Sequence, residues 1–233
     1  MAKKQVAASP ISNELFRFLE ELSANNDRDW FAGNKQRYES DVREPALELI
    51  DQWSSPMSRV APMLRVVAKK SGGSLMRIYR DTRFGKDKTP YKTNVGISLR
   101  HEAQSDIHAP GIYLHLAADE CFLGAGCWRP ERNTLAAIRA AIDRSPKEWT
   151  KARDQKIFRR HFELAGESLK TSPRDYDKTH PMIEDLRRID FIAVCTLTRG
   201  QLTSPGAIEL LTDRVKATRP LMRFLCDAVE IPY

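Results

Sequence analysis

Residues 93–128 read TNVGISLRHEAQSDIHAPGIYLHLAADECFLGAGCW, and this stretch decides the fold. Three runs within it alternate apolar and polar side chains: Thr93–His101, Gly111–Ala117 and Glu120–Trp128. Period-two alternation is typical of strands that bury one face. The connections between the runs are too short for the crossover helices that parallel strands need, so the runs predict an antiparallel sheet.

The flanking sequence adds two more strands and a set of helices. A fourth β-like run, Leu75–Phe84, follows a glycine-containing turn, and Phe191–Leu197 is predicted as a fifth strand. The first third of the chain has apolar side chains at helical spacing, although Pro56 is expected to end its third helix. Further helices are predicted after Pro130, Ser145 and Ser204, the last one bent or restarted at Pro220.

These elements predict an α+β fold. Residues 9–233 form a single domain with a largely antiparallel sheet of about five strands, covered by helices from the N- and C-terminal parts of the chain. Residues 1–8 are predicted to be a disordered tail. The 233-residue length is enough to bury about 70–75% of the unfolded surface in one core.

Composition excludes several classes of protein. The sequence is 41% hydrophobic with a net charge of +7, which argues against disorder, and it contains no apolar run of membrane-spanning length. Its four cysteines show no CxxC spacing, and no motif of paired metal ligands is present, so no metal site is predicted. Without a secretory signal, the chain is expected to be cytoplasmic, with no membrane partner.

The positive charge is concentrated in one segment. Six basic residues lie between Arg77 and Lys92, against only Asp81 and Asp87. Arginine offers a planar fork for phosphate or carboxylate, and lysine adds a point charge. The alternative is a solvated loop whose two aspartates pair with neighbouring cations, but two carboxylates cannot neutralise six cations.

The alternation of side chains along the strands adds a polar sheet face to this cationic segment, and together they form a candidate site. It places Tyr113 and His115 on a polar sheet face on which Gly96, Gly124 and Gly126 leave room for a ligand. Alternatively, these glycines allow a helix to pack closely or mark bulges. A helix over all three glycines would remove the site from this face.

The residues of the predicted site fall into three groups. The anion would be held by five cations: Arg77, Arg83, Lys86, Lys88 and Lys92. Stacking surfaces would come from three aromatic residues: Tyr79, Tyr91 and Trp128. Any proton transfer would fall to His115 or Asp81.

Four segments of the chain together form a distinctive set: Asn25-Asn26 with Trp30-Phe31, Lys35 and Tyr38; residues 77–94, RIYRDTRFGKDKTPYKTN; residues 124–130, GAGCWRP; and residues 166–170 with Pro173, Tyr176, His180 and Pro181. This set resembles the domain-of-unknown-function 2461 family. The resemblance extends from about Leu15 to the C-terminus, with Gly85 and Ala125 as small departures. It implies one domain and carries no activity, cofactor or catalytic residue with it.

The sequence thus predicts a protein that binds a small phosphorylated or carboxylated ligand, as a binding protein or as an enzyme. A second interpretation is a single-stranded nucleic-acid-binding module that uses the same cations and tyrosines. A third is a protein-interaction module whose basic loop docks on an acidic partner. The residues identify no cofactor and leave the oligomeric state open.

Overall fold

A computed structural model of the protein describes residues 8–83, 86–103 and 109–233. One antiparallel sheet forms its centre, and its six strands lie in the order β1-β2-β3-β4-β6-β5. The strands are β1 (Leu64–Arg65), β2 (Asn94–His101), β3 (Gly111–Ala117), β4 (Cys121–Cys127), β5 (Glu163–Ala165) and β6 (Phe191–Leu197). The α+β class and the antiparallel sheet are therefore confirmed.

Helices precede the sheet, follow β4 and end the described chain. The first group is α1 (Asn13–Ala24), α2 (Arg28–Gly33), α3 (Lys35–Arg37), a π-helical turn at Tyr38–Arg43 and α4 (Glu44–Val60). The second group is α5 (Arg132–Arg144), α6 (Pro146–Arg153), α7 (Lys156–Arg159), α8 (Ile183–Leu186), α9 (Arg199–Thr203) and α10 (Ala207–Ala228). Among the described helices, none is both long and apolar enough to cross a membrane.

One face of the sheet is buried against helices. Alternate residues of β2, β3 and β4, such as Ile97, Leu114 and Leu123, are fully buried. The helix α10 packs on β4 and on α4, and α1 contacts β3. The apolar halves of the alternating strands thus form the core.

The opposite face carries the polar halves of the same strands, as the alternation predicts. His115 pairs with Gly96 on one side and with Phe122 on the other, and Tyr113 pairs with Gly124. The Tyr113 ring, rather than a helix, covers Gly96, because a Cβ there would lie 2.8 Å from the Tyr113 hydroxyl oxygen. At Gly124 a Cβ would meet only ordinary contacts, the nearest at 3.7 Å.

Gly126 has a different role from the other two glycines. Its φ is +123°, and a Cβ would lie 2.1 Å from the backbone oxygen of Phe191. This close backbone approach lies within the pairing of β4 with β6, so it is a strand contact and not the helix packing of the alternative interpretation. A side chain is excluded at Gly126 on both counts.

The segment predicted as the strand Leu75–Phe84 is not a strand over its described part. Residues 75–80 pair with the chain around β2 only through isolated bridges, Leu75 with Ile97 and Tyr79 with Tyr91. A backbone hydrogen bond flanks each bridge, from the Met76 N–H to Gly96 and from the Arg80 N–H to Pro90, but the two bridges do not join into one ladder. Phe84 lies outside the described residues.

Two prolines expected to end or bend helices lie inside continuous ones. Pro56 is within α4, and Pro220 is within α10. In each helix the residue that follows the proline is fully buried: Met57 in α4 and Leu221 in α10. Burial of these side chains outweighs the loss of one backbone hydrogen bond.

A buried carboxylate joins two surface loops at one end of the sheet. Asp190, only 2% exposed, accepts hydrogen bonds from the backbone N–H of Arg129 at 2.7 Å and of Glu167 at 2.9 Å. Arg129 has a positive φ of 45°, and Gly166, with φ +95°, packs directly against the Asp190 side chain. Asp190 therefore holds both loops, and in one of them it compensates for a left-handed conformation that is unfavourable for Arg129.

Replacing Asp190 should destabilise the fold strongly. The substitution Asp190→Ala leaves two N–H groups without their acceptor, so we expect a loss of about 2–4 kcal/mol in the free energy of unfolding. Urea denaturation measures this loss. Glu167→Ala, at a side chain that is 70% exposed, is the matched control and should change stability by less than about 0.5 kcal/mol. Equal effects of the two substitutions would refute this role.

Candidate functional site

A cluster of aromatic rings forms the floor of a groove between the N-terminal helices and the basic segment. Phe31 of α2 stacks on Tyr91, with ring centroids 4.1 Å apart and planes 20° apart. Tyr79 packs against both rings, at 5.4 Å from Tyr91 and 6.4 Å from Phe31. Tyr91 is 6% exposed whereas Tyr79 is 53% exposed, so Tyr79 is the ring that a ligand can reach.

One side chain fixes the N-terminal helices to this segment. The Asn26 amide donates to the Tyr91 backbone oxygen at 3.0 Å and accepts from the Tyr91 N–H at 3.1 Å. The turn that presents Asn26 is set by Asn25, which ends α1, and by Asp27, whose carboxylate caps α2 at the Trp30 N–H. The Asn26 side chain thus makes the two hydrogen bonds to the Tyr91 backbone that a neighbouring strand would otherwise make.

The groove has two adjoining lobes. The larger lobe, about 660 Å³, is lined by side chains that include Arg28, Tyr79 and Lys88. The smaller lobe, about 340 Å³, is lined by side chains that include Asp87, Lys92 and Asn94. Both volumes lie within the range of small-molecule sites. Four residues line both lobes and form the wall between them: Asn26, Arg80, Thr89 and Tyr91.

Both aspartates of the basic segment are paired with arginines. Asp81 accepts from Arg83 Nε at 2.9 Å and Nη2 at 2.7 Å, which holds the pKa of Asp81 well below its usual range. Asp87 accepts from the Thr89 backbone N–H, from Arg80 and from the Thr89 hydroxyl, and these contacts lower its pKa to about 2. The alternative interpretation of internal pairing is therefore correct for Arg80 and Arg83.

The environment of Lys92 differs from that of the paired cations Arg80 and Arg83. It is half-buried in the smaller lobe, and no carboxylate of the described residues forms an ion pair with it. Burial lowers the pKa of Lys92, and the positive charge of Arg77 lowers it further. A lysine held near another cation gains stability when an anion binds beside it.

His115 lies beside the smaller lobe and is connected to it through Asn94. Its Nδ1 atom is 3.3 Å from the Tyr113 hydroxyl and 3.4 Å from Asn94 Nδ2, and its ring stacks on Phe122 at 4.7 Å. Burial lowers the pKa of His115, although Glu120 and Asp119 raise it in part. The lowered pKa keeps the imidazole neutral at physiological pH.

The structure brings together only some of the residues predicted from the sequence. Tyr79, Lys88, Tyr91 and Lys92 line the groove. Lys88 also donates to the Thr82 backbone oxygen at 2.8 Å. Asp81 and His115 form no hydrogen bond with each other in the described part of the chain, because Asp81 binds Arg83 and His115 contacts Tyr113 and Asn94.

Four other predicted residues lie outside the walls of the groove. Arg77 is exposed and acts on Lys92 and Asp81 only through its charge. Lys86 and Arg83 are exposed on the loop, with Arg83 bound to Asp81. Trp128 follows β4 at its far end, roughly 20 Å along the strand from the end near Asn94.

The start of α5 has no side-chain cap, because Glu131 precedes the helix without bonding to its first N–H groups. The preceding loop is instead held by Asp190 through the Arg129 N–H. Across the described residues, no group of three or more metal-ligating side chains is present.

Sequence reasoning missed three residues of the groove: Asn26, Arg28 and Arg80. Arg80 was visible in the cationic segment, but nothing local distinguishes it from its neighbours. Asn26 and Arg28 lie 51 and 49 residues before Arg77, where the cationic segment begins, and only the contact of Asn26 with Tyr91 brings their turn to the groove. The signal that could have found Asn26 is its place in a segment that resembles the family.

The segments that build the groove and the Asp190 brace are those of one known family. A model of conserved hypothetical proteins, DUF2461, matches residues 14–224. The chain belongs to the DUF2461 family. No curated protein and no solved structure matches it significantly. Family membership therefore supports a common fold, and function has to be argued from the groove.

Removing the Asn26 amide should loosen the groove. The substitution Asn26→Ala deletes both hydrogen bonds to the Tyr91 backbone, so we expect the free energy of unfolding to fall by about 1–3 kcal/mol. Chemical denaturation measures this change. Ser23→Ala, at an exposed position at the end of α1, is the control and should be nearly neutral. An equally neutral Asn26→Ala would show that the two bonds contribute nothing net.

Proposed function

We propose that this DUF2461 protein binds a small phosphorylated or carboxylated ligand in the two-lobed groove. The observation that carries the proposal is the imbalance of charge. Four cations line the two lobes together (Arg28, Arg80, Lys88 and Lys92), against two carboxylates, Asp27 and Asp87. Both carboxylates are already engaged, Asp27 with the Trp30 N–H and Asp87 with Arg80 and Thr89.

Arg80 and Lys92 are the groups we propose to hold the anion. Arg80 uses one terminal nitrogen, Nη1, for both Asp87 and Thr89, and its Nε and Nη2 atoms have no partner among the described residues. Lys92 adds a half-buried charge in the smaller lobe, which Arg80 also lines. A charged hydrogen bond to each group would contribute about 1.5–3 kcal/mol.

If the groove catalyses a reaction, His115 is the better of the two predicted proton-transfer groups. The Asp81 carboxylate is exposed, bound by Arg83 and has a lowered pKa, all of which make it a weak base. His115 has a neutral ring next to Asn94 in the smaller lobe. We also propose a cytoplasmic location, because all four cysteines are free and buried.

Removing the charge of Lys92 should weaken anion binding without cost to the fold. For Lys92→Met we expect at least tenfold weaker binding of phosphate or ribose 5-phosphate by calorimetry, and stability equal to or above that of the wild type. A half-buried charge with a lowered pKa disfavours the folded state, so its removal relieves that cost. Lys70→Met, an exposed lysine, is the matched control.

Unchanged binding by Lys92→Met would refute the anion site. A large loss of stability in the same variant would assign Lys92 a structural role instead. Gel retardation of single-stranded DNA that disappears steeply with salt, without binding of small anions, would favour the nucleic-acid interpretation.

Removing the charge of Asp87 should strengthen anion binding, which is the opposite of the effect expected at Lys92. The substitution Asp87→Asn keeps an oxygen that accepts from Thr89 but removes the negative charge beside Arg80. We therefore expect severalfold tighter binding of inorganic phosphate, measured by calorimetry. Glu163→Gln, an exposed acid on β5, is the control and should leave affinity unchanged. Weaker binding in Asp87→Asn would show that the carboxylate supports the site rather than competing for Arg80.

The affinity for sulfate should depend on the protonation of Lys92. Because lysine is charged below its pKa, binding should be constant at low pH and should weaken as the pH rises through the lowered pKa of Lys92. The loss should thus begin at a lower pH than an ordinary lysine with a pKa of 10.5 would produce. Sulfate is the suitable probe since it stays fully ionised across this range. In Lys92→Met this pH dependence should be absent.

A further inference from the structure

We infer that the ligand of the groove is a nucleoside monophosphate, with its base on Tyr79 and its phosphate between Arg80 and Lys92. This inference rests on the proposed function and adds the chemical class of the ligand. It follows from three features of the groove: one exposed ring on a rigid support, two lobes of different chemistry, and a fixed carboxylate in the smaller lobe.

Tyr79 is suited to stacking against a planar base. It is 53% exposed, although an aromatic ring gains free energy by burial, and one side of it is supported by the stacked pair of Phe31 and Tyr91. The Tyr91 backbone in that support is held by Asn26. A ring that is already ordered loses little entropy on binding, and base stacking on an aromatic side chain contributes about 1–3 kcal/mol.

The two lobes match the two ends of a nucleotide. Tyr79 lines only the larger lobe and Lys92 only the smaller one, while Arg80 lies on the wall between them. A simple anion would leave the larger lobe and Tyr79 unused. A ring joined to a phosphate by a sugar fills both lobes, with Arg80 in reach of the phosphate. Arg28, on the larger lobe, offers N–H donors to acceptor atoms of the base.

The Asp87 carboxylate should make the groove prefer a ligand with one phosphate group to a ligand with several. Its carboxylate lines the smaller lobe, and its pKa of about 2 keeps it ionised at every physiological pH. A second or third phosphate extending into this lobe would meet that negative charge. The groove should therefore prefer a monophosphate to a triphosphate.

Calorimetry with four probes tests the assignment: adenosine 5′-monophosphate, ribose 5-phosphate, adenosine and adenosine triphosphate. We expect the monophosphate to bind at least tenfold more tightly than each of the other three. In Tyr79→Leu the affinity for adenosine 5′-monophosphate should fall about tenfold, to that for ribose 5-phosphate. The affinity for ribose 5-phosphate itself should not change. Tyr79→Phe retains the ring and should bind like the wild type. Lys92→Met should weaken both monophosphates.

The possible failures are distinguishable. Equal affinity for ribose 5-phosphate and the nucleotide, unchanged by Tyr79→Leu, would overturn the base assignment and leave the anion site intact. Absence of binding by all phosphates would overturn the proposed function itself. Binding of a single-stranded oligonucleotide at least tenfold tighter than the monophosphate would overturn the assignment to a free nucleotide. Thermal unfolding of each variant excludes loss of the fold as the cause.

Discussion

The pair of hydrogen bonds between the Asn26 amide and the Tyr91 backbone is the interaction on which the groove depends. It joins the helical N-terminal third of the chain to the irregular segment before β2. The same junction is closed by the stack of Phe31 on Tyr91, which buries both rings. The helices and the basic segment therefore meet in one fixed geometry, and the groove is the surface left between them.

The fold was predictable wherever a periodic pattern extended over enough residues. Residues 93–128 alternate so regularly that the strands β2, β3 and β4 and their polar face follow from the sequence. The short strands β1 and β5 have two and three residues, too few for any period to be visible. Pro56 and Pro220 predicted helix ends because local propensity does not include the burial of the next turn.

The residue types of the site and the segment that carries them could be predicted, but the arrangement of their side chains could not. The cations and tyrosines between Arg77 and Lys92 pointed to the correct segment, yet the pairing of Asp81 and Asp87 could not be assigned from spacing. Trp128 was included on chemical grounds and lies at the other end of the sheet. The role of Asn26 does not follow from the local pattern, because it depends on a contact across 65 positions of sequence.

The Asp190 carboxylate has a consequence for the motions of the molecule. It accepts one hydrogen bond from the loop before α5 at Oδ1 and one from the loop after β5 at Oδ2, so the opening of either loop leaves this buried carboxylate with an unpaired oxygen. Hydrogen exchange at the amides of Arg129 and Glu167, distant in sequence, should therefore be coupled. Two surface segments that look independent along the chain behave as one element at this end of the sheet.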